Sequence, residues 1–301
     1  LSGFKIKNSG RNGIFIEESD HVKISGNIVT DSVLNGIYIE DSDYNTIEDN
    51  TFTSANKAVY VFRSDNNEID NNTISDNYDH GIELYQSESN TLSNNTIKDN
   101  GDEGIYLRYS DSNTISDNTI KNNGGSGIRL EDSESNTLSN NTIENNDYGI
   151  YIDNTDDNTI SNNIINNNSE DGIYIDDSDN YIISNNSVTN NGGYGINLDS
   201  DSNSNSIINN TITDNAVGLR IEGADNTIGN NVIVDNSGDG IHLTGSDGNT
   251  MSNNTIHDNG DYQVNLAGSS DTLLIGSVSD VYVSSNSDLI IKNYLTIQVS
   301  L

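Results

Sequence analysis

The sequence predicts an all-β solenoid, a right-handed parallel β-helix of about twelve coils with three short parallel sheets. Three observations predict it. Glycine followed by an apolar pair recurs at Gly13, Gly36, Gly81, Gly104, Gly127, Gly149, Gly172, Gly195, Gly218 and Gly240, with Ala58 and Gln263 in the two gaps, a period of 22 or 23 residues. Within each period the apolar residues fall into three groups too short for helical turns. Asparagine returns at fixed places between those groups. A fixed period in this range means stacked supersecondary units.

One coil can be read from Gly104 to Asn123. Ile105 and Leu107 alternate with period two and define a first strand. Ile115 and Ile120 are each the inward residue of a shorter strand set between turn-forming Asn, Asp, Gly and Ser. Stacking places equivalent residues roughly 4.8 Å apart along the axis, so every column touches itself. Asn27, Asn50, Asn72, Asn95, Asn118, Asn141, Asn163, Asn186, Asn210, Asn231 and Asn254 form one column. Asn77, Asn100, Asn123, Asn146, Asn168, Asn191, Asn215, Asn236 and Asn259 form another. An amide donates and accepts, and Asn tolerates left-handed backbone, so both columns read as internal ladders. Ser19, Ser42, Ser64, Ser87, Ser110, Ser133, Thr155 and Ser178 line the corner after the first strand.

The repeats occupy residues 1–266, and 267–301 read as irregular closing coils and a linker strand, with strands expected at 271–275, 281–283 and from 289 onward. Residues 3–8 read as the last third of a coil, so the natural chain is expected to extend beyond both ends.

Composition supports a thin core, since 31% of residues are hydrophobic, with 4 Phe and no Trp, Cys or Pro. A charge of −35, from 47 acids against 12 bases, would suit a disordered chain, but disorder gives no reason to hold a register throughout. That charge excludes nucleic acid and anionic lipid as partners, since both are polyanions. No apolar run reaches transmembrane length, so no direct membrane insertion is expected.

Blocks of the type Asn-Thr-Ile-Ser-Asn-Asn-Thr-Ile and Gly-Ile-Tyr-Ile, over about residues 3–266, resemble the parallel β-helix repeat family, which includes NosD-like proteins, carbohydrate-active enzymes and archaeal surface-layer-type proteins. The resemblance implies an extracellular structural or adhesive module of a cell-surface protein, a rod roughly 55–65 Å long at the strand spacing. Such a module would carry glycans, bind cations and self-associate into filaments or a surface layer by end-to-end or lateral contact. The alternative is a carbohydrate-active enzyme, that is a polysaccharide lyase, hydrolase or epimerase, or a polysaccharide-binding module. NosD-like copper delivery fits poorly, because 4 His, 1 Met and no Cys are weak provision for a soft metal.

Function in a solenoid lives on outward columns. Tyr38, Tyr60, Tyr106, Arg129, Tyr151 and Tyr174 share one with Phe15, Glu83, Asn197 and Arg220, a candidate ligand or partner strip. The competing reading is self-stacking, at roughly 0.2–1 kcal/mol per pair. Glu131, Asp153, Asp176, Asp199 and Glu222 form an acidic column, and Asp20, Asp43, Asp65, Glu88, Asp111, Glu134, Asp156 and Asp179 a second just past the Ser corner. Stacked carboxylates repel by roughly 1 kcal/mol per neighbour in water-like surroundings, and calcium is the expected offset, against a merely solvated corner. Asn-x-Ser/Thr acceptors stand at Asn71, Asn94, Asn140, Asn167, Asn185, Asn209 and Asn253 and are expected to point outward.

Catalysis breaks a repeat, because one coil must carry what the others lack. The breaks are Arg63 with Phe62, His80, Arg108 with Tyr109, Arg129 and His242. No acid beside Arg108, Tyr109 and Arg129 stands out from the repeating background, so no catalytic residue is assigned.

Overall fold

The computed structural model describes residues 1–276, 278 and 280–292. Three parallel sheets of 12, 13 and 13 strands run the length of the chain, each strand pairing with its equivalents in the coils before and after. The register follows the period: Tyr106 lies against Arg129 and Arg129 against Tyr151 in the first sheet, Ile115 against Leu138 in the second, Ile120 against Ile143 in the third. Among the described residues every regular element is a strand of three to six residues.

The core is one file of side chains per sheet position. Ile105, Leu107, Ile115 and Ile120 are all fully buried, and their equivalents continue the file from Ile14 to Leu274. The recurring glycine marks where the coil closes on itself. A Cβ at Gly104 would stand 2.5 Å from Ile120 Cγ2 and 2.6 Å from the Gly127 carbonyl, so no side chain fits.

Both predicted ladders are present. Asn118 donates its backbone N–H and Nδ2 to Asn141 Oδ1, each at 3.0 Å, and Nδ2 also reaches the Leu92 carbonyl at 2.9 Å. In the serine column, Ser64 N–H donates to Ser87 Oγ at 3.1 Å. A third buried ladder, from Asn45 through Asn67, Asn90, Asn113, Asn136 and Asn158, was not anticipated. Tyr181 interrupts it, fully buried, its hydroxyl against that of Thr155 and accepting from Asn158 Nδ2 at 2.6 Å.

Beyond 266 the strands Thr272–Ile275, Val281–Val283 and Leu289–Lys292 still extend the first and second sheets, while the third sheet ends at Thr255–His257. The expected linker strand continues past 292, outside the described residues.

Candidate functional site on the first sheet

The outward column of the first sheet is an aromatic stack with charged interruptions. Ring centroids are 5.3 Å apart for Phe15 and Tyr38 and 5.1 Å for Tyr38 and Tyr60, with planes within 14° and 9° of parallel. These rings spend their faces on one another and present edges and hydroxyls outward. Arg129 replaces a ring and lies between Tyr106 and Tyr151, at 5.3 and 5.2 Å from their centroids. Of the six strip residues expected from the sequence, Tyr106, Arg129 and Tyr174 hydrogen-bond to acidic partners, Tyr151 stacks beside Arg129, and Tyr38 and Tyr60 belong to the parallel stack.

Around Arg129 the repeat breaks over adjacent coils. Arg129 reaches Glu131 at 3.1 Å, Glu103 at 3.6 Å and Asp153 at 3.9 Å. Tyr106 donates its hydroxyl to Glu131 at 2.5 Å, and burial together with that carboxylate pushes the phenol well above its ordinary range. His80 is only 8% exposed and packs edge-on against Tyr106, with Nδ1 2.9 Å from Glu103 and Nε2 3.4 Å from Asp79. Lys57 pairs with buried Glu83.

Electrostatics divide these groups. Burial opposes the His80 imidazolium, yet the carboxylates of Glu103 and Asp79 hold its pKa above the ordinary value. Burial would raise Glu103, but His80 draws it down to about 2. Asp102, next in the chain, is pushed up to about 6 by partial burial and by Glu103. Neighbouring carboxyls are thus driven apart, which is how acid and base roles are separated in enzymes.

Of the buried polar atoms here, His80 Nδ1, Glu83 Oε2 and Arg108 Nε are met by ion pairs with Glu103, Lys57 and Glu131, and Arg129 Nε has no hydrogen-bond partner among the described residues. Glu103 is the buried acid of this spot and pairs with His80. It is 6% exposed and occupies the position before the repeating glycine, where Asp171 and Asp239 are buried in later coils and the remaining coils carry Asn, Lys, His, Ser, Tyr or Val. Comparing that position between coils would have exposed both His80 and Glu103 as a pair. Asp79, His80 and Asp102 also bring donor atoms within 4.8 Å of one another, where the neighbouring carboxylates favour the charged form of His80.

The acidic column is partly offset from within. Glu131 faces Arg108 and Arg129, Asp199 accepts from the Tyr174 hydroxyl at 3.1 Å, and Glu222 pairs with Arg220. Asp176 meets no cation within salt-bridge distance among the described residues, and burial with Asp199 and Asp153 raises its pKa, as burial with Glu131 raises that of Asp153. In the second acidic column the backbone supplies the offset, with the N–H groups of Asp65, Glu134 and Asp179 donating to Asp43, Asp111 and Asp156 at 2.7 Å. Asp111, Glu134, Asp156 and Asp179, with Asp132, Asp177 and Asp201, line an acidic cavity of about 340 Å³. All seven sequon asparagines, Asn71, Asn94, Asn140, Asn167, Asn185, Asn209 and Asn253, are exposed and left-handed, with φ between 53° and 58°.

The chain matches the family described as right handed beta helix region over residues 1–130, 89–212 and 198–296. No curated protein matches. Among solved structures it is similar to the A-module of mannuronan C-5 epimerase AlgE4 from Azotobacter vinelandii, at 15% identity over 95% of this chain and 91% of that one, with a TM-score of 0.65. It is also similar to tailspike protein 2 of Escherichia coli O157:H7 bacteriophage CAB120, at 14% identity over 81% of this chain and 42% of that one, with a TM-score of 0.64. DFA-IIIase from Arthrobacter chlorophenolicus A6 follows at 16% identity, 92% and 70% coverage and a TM-score of 0.53. Identities this low carry the fold and leave activity to the site. On the extent of the family match, the chain belongs to the right-handed β-helix family.

Proposed function

We propose that the protein acts on an extracellular polysaccharide at the outer face of the first sheet, with His80, Asp102, Glu103, Tyr106 and Arg129 as its reactive centre. The carrying observation is the concentration of ionisable groups in contact where the repeat breaks, His80 with Asp79 and Glu103, and Arg129 with Glu103, Glu131 and Asp153. Asp102, protonated below about pH 6, can give a proton, while ionised Glu103 can receive one or stabilise positive charge on a sugar ring. Arg129 donates to hydroxyl or ring oxygens at the sheet surface. Likeness in fold to a mannuronan epimerase module supports a sugar polymer as the occupant.

The test is a panel of neutral, anionic and amino-sugar polysaccharides incubated with the full chain, read by reducing ends, by ultraviolet absorbance of unsaturated products and by proton exchange in D₂O. Glu103→Gln and Arg129→Ala are expected to lower turnover by about a hundredfold or more while circular dichroism stays unchanged. Turnover of no polymer, or variants as active as the parent, overturns the reading.

A second reading, an extracellular structural or adhesive surface module, is favoured by the seven exposed sequons. Light scattering that finds only monomers at high concentration, with and without calcium, rejects this reading.

A further inference from the structure

A recess adjoins the reactive cluster and has a traceable origin. From Gly104 to Gly127 the period is 23 residues, but from Gly127 to Gly149 it is 22, because the turn between Asn146 and Gly149 holds two residues, Asp147 and Tyr148, where the preceding turn holds Gly124, Gly125 and Ser126. The shortened turn steps back and leaves a cavity of about 330 Å³, at the small end of the range for small-molecule sites. Gly125 keeps it open. A Cβ there would stand 2.6 Å from Asp102 Oδ1 and 3.1 Å from the Glu103 nitrogen.

The walls are chemically mixed. Asp102, Glu103 and Asp147 bring carboxylates, Arg129 a guanidinium, and Tyr148 and Tyr151 aromatic rings. Tyr148, in the turn before Gly149 and outside the outward column, meets Tyr151 edge to face, at 5.2 Å and 76°. Arg129 is already committed to Glu103 and Glu131, so it cannot serve as receptor for a further anion without losing those pairs. Asp147 is exposed, with Ser169 Oγ at 3.1 Å as its hydroxyl partner. The surrounding field points the same way, since the chain carries −35, and a strongly acidic surface repels polyanions and concentrates cations.

We propose that this recess receives one unacetylated amino-sugar unit of a cationic polysaccharide, its ammonium held by Asp147 and Asp102 and its ring against Tyr148. The inference rests on the polysaccharide reading and narrows it. It separates this chain from a polyuronate-acting protein even though a mannuronan epimerase module shares its fold. An ammonium near a tyrosine face and two carboxylates gains charge–charge and cation–π attraction that an N-acetyl group forfeits and a uronate reverses. Recognition so dominated by charge weakens with salt.

Calorimetric titration of the full chain with a glucosamine tetramer, its fully N-acetylated counterpart and a uronate tetramer, at low salt with and without calcium, tests this. The glucosamine tetramer is expected to bind at least tenfold more tightly than the acetylated one, with no uronate binding. Asp147→Asn is expected to weaken it about fivefold or more, and Tyr148→Ala similarly, with unchanged melting temperature. Equal or tighter binding of the acetylated or uronate tetramer, or full affinity in Asp147→Asn, overturns the amino-sugar assignment and leaves the polysaccharide reading standing. Binding of none of the three, with turnover of some other polymer, likewise overturns only the assignment. Absence of both binding and turnover overturns the two together.

Discussion

Replacing Asn118 by alanine removes a full set of ladder contacts from the middle of the rod. Its Oδ1 accepts from Asn95 N–H at 2.9 Å and Asn95 Nδ2 at 3.0 Å, and its Nδ2 donates to the Leu92 carbonyl and to Asn141 Oδ1. Four hydrogen bonds at about 0.5–1.5 kcal/mol each give about 2–6 kcal/mol, and the buried Asn95 amide left without a partner places the expected cost near 4 kcal/mol. Asn94→Ala is the internal control. That side chain is exposed, makes one contact, to Asp70 at 2.8 Å, and its φ of 54° costs alanine about 1 kcal/mol. Urea unfolding followed by circular dichroism should therefore separate the variants by at least about 2 kcal/mol. Amide exchange should accelerate first in the coils bearing Asn95 and Asn141, because a solenoid loses stability locally. If Asn118→Ala costs no more than Asn94→Ala, the ladder is not what binds coil to coil.

The His80 cluster gives the rod a pH signature. Glu103, drawn down to about 2, contributes stability present above its ordinary value and lost as pH falls toward 2. His80, raised, contributes most below its ordinary value and loses it as pH climbs through the raised one, while Asp102 disfavours the fold as it ionises up to and through about 6. Melting temperature should thus fall from pH 5 to 8 more steeply in the parent than in Glu103→Gln; parallel slopes contradict the pairing. If calcium occupies the column of Glu131, Asp153, Asp176, Asp199 and Glu222, calcium at 100 times its Kd adds about 2.7 kcal/mol, reversed by chelation and reduced in Asp176→Asn. Unchanged melting with calcium rejects that site. Glycans on the seven sequons should appear as deamidation-tagged Asn71, Asn94 and their equivalents after enzymatic release from protein secreted by its native cells, and a mass spectrum of wholly unmodified peptides denies them.

The fold was legible because it is written redundantly. Ile105, Leu107, Ile115 and Ile120 repeat in every coil, so one period identifies all of them, and the glycine before Ile105 announces a contact that excludes any side chain. The third ladder was missed because Asn45 and Asn67 sit among other turn formers whose compositions are alike, and only strand pairing shows which of them face inward. The site was half legible. Arg129 and His80 break visible columns, and Glu103 stands one 23-residue period after His80, so their shared column is readable in sequence whereas their burial and contact are not. The recess beside it arises from a one-residue difference in spacing, too small to read as a pocket in sequence.

Asn95, Asn118 and Asn141 present the same donor and acceptor to the next layer, so the joints between these coils are alike. Excising 23 residues, from Ile82 through Gly104, would bring Gly81 directly before Ile105 and restore like against like, whereas excising 11 would set glycine against isoleucine. Length is therefore an adjustable quantity in this architecture, changed by whole copies of one unit during gene duplication, while chemistry is confined to the few layers that depart from the copy.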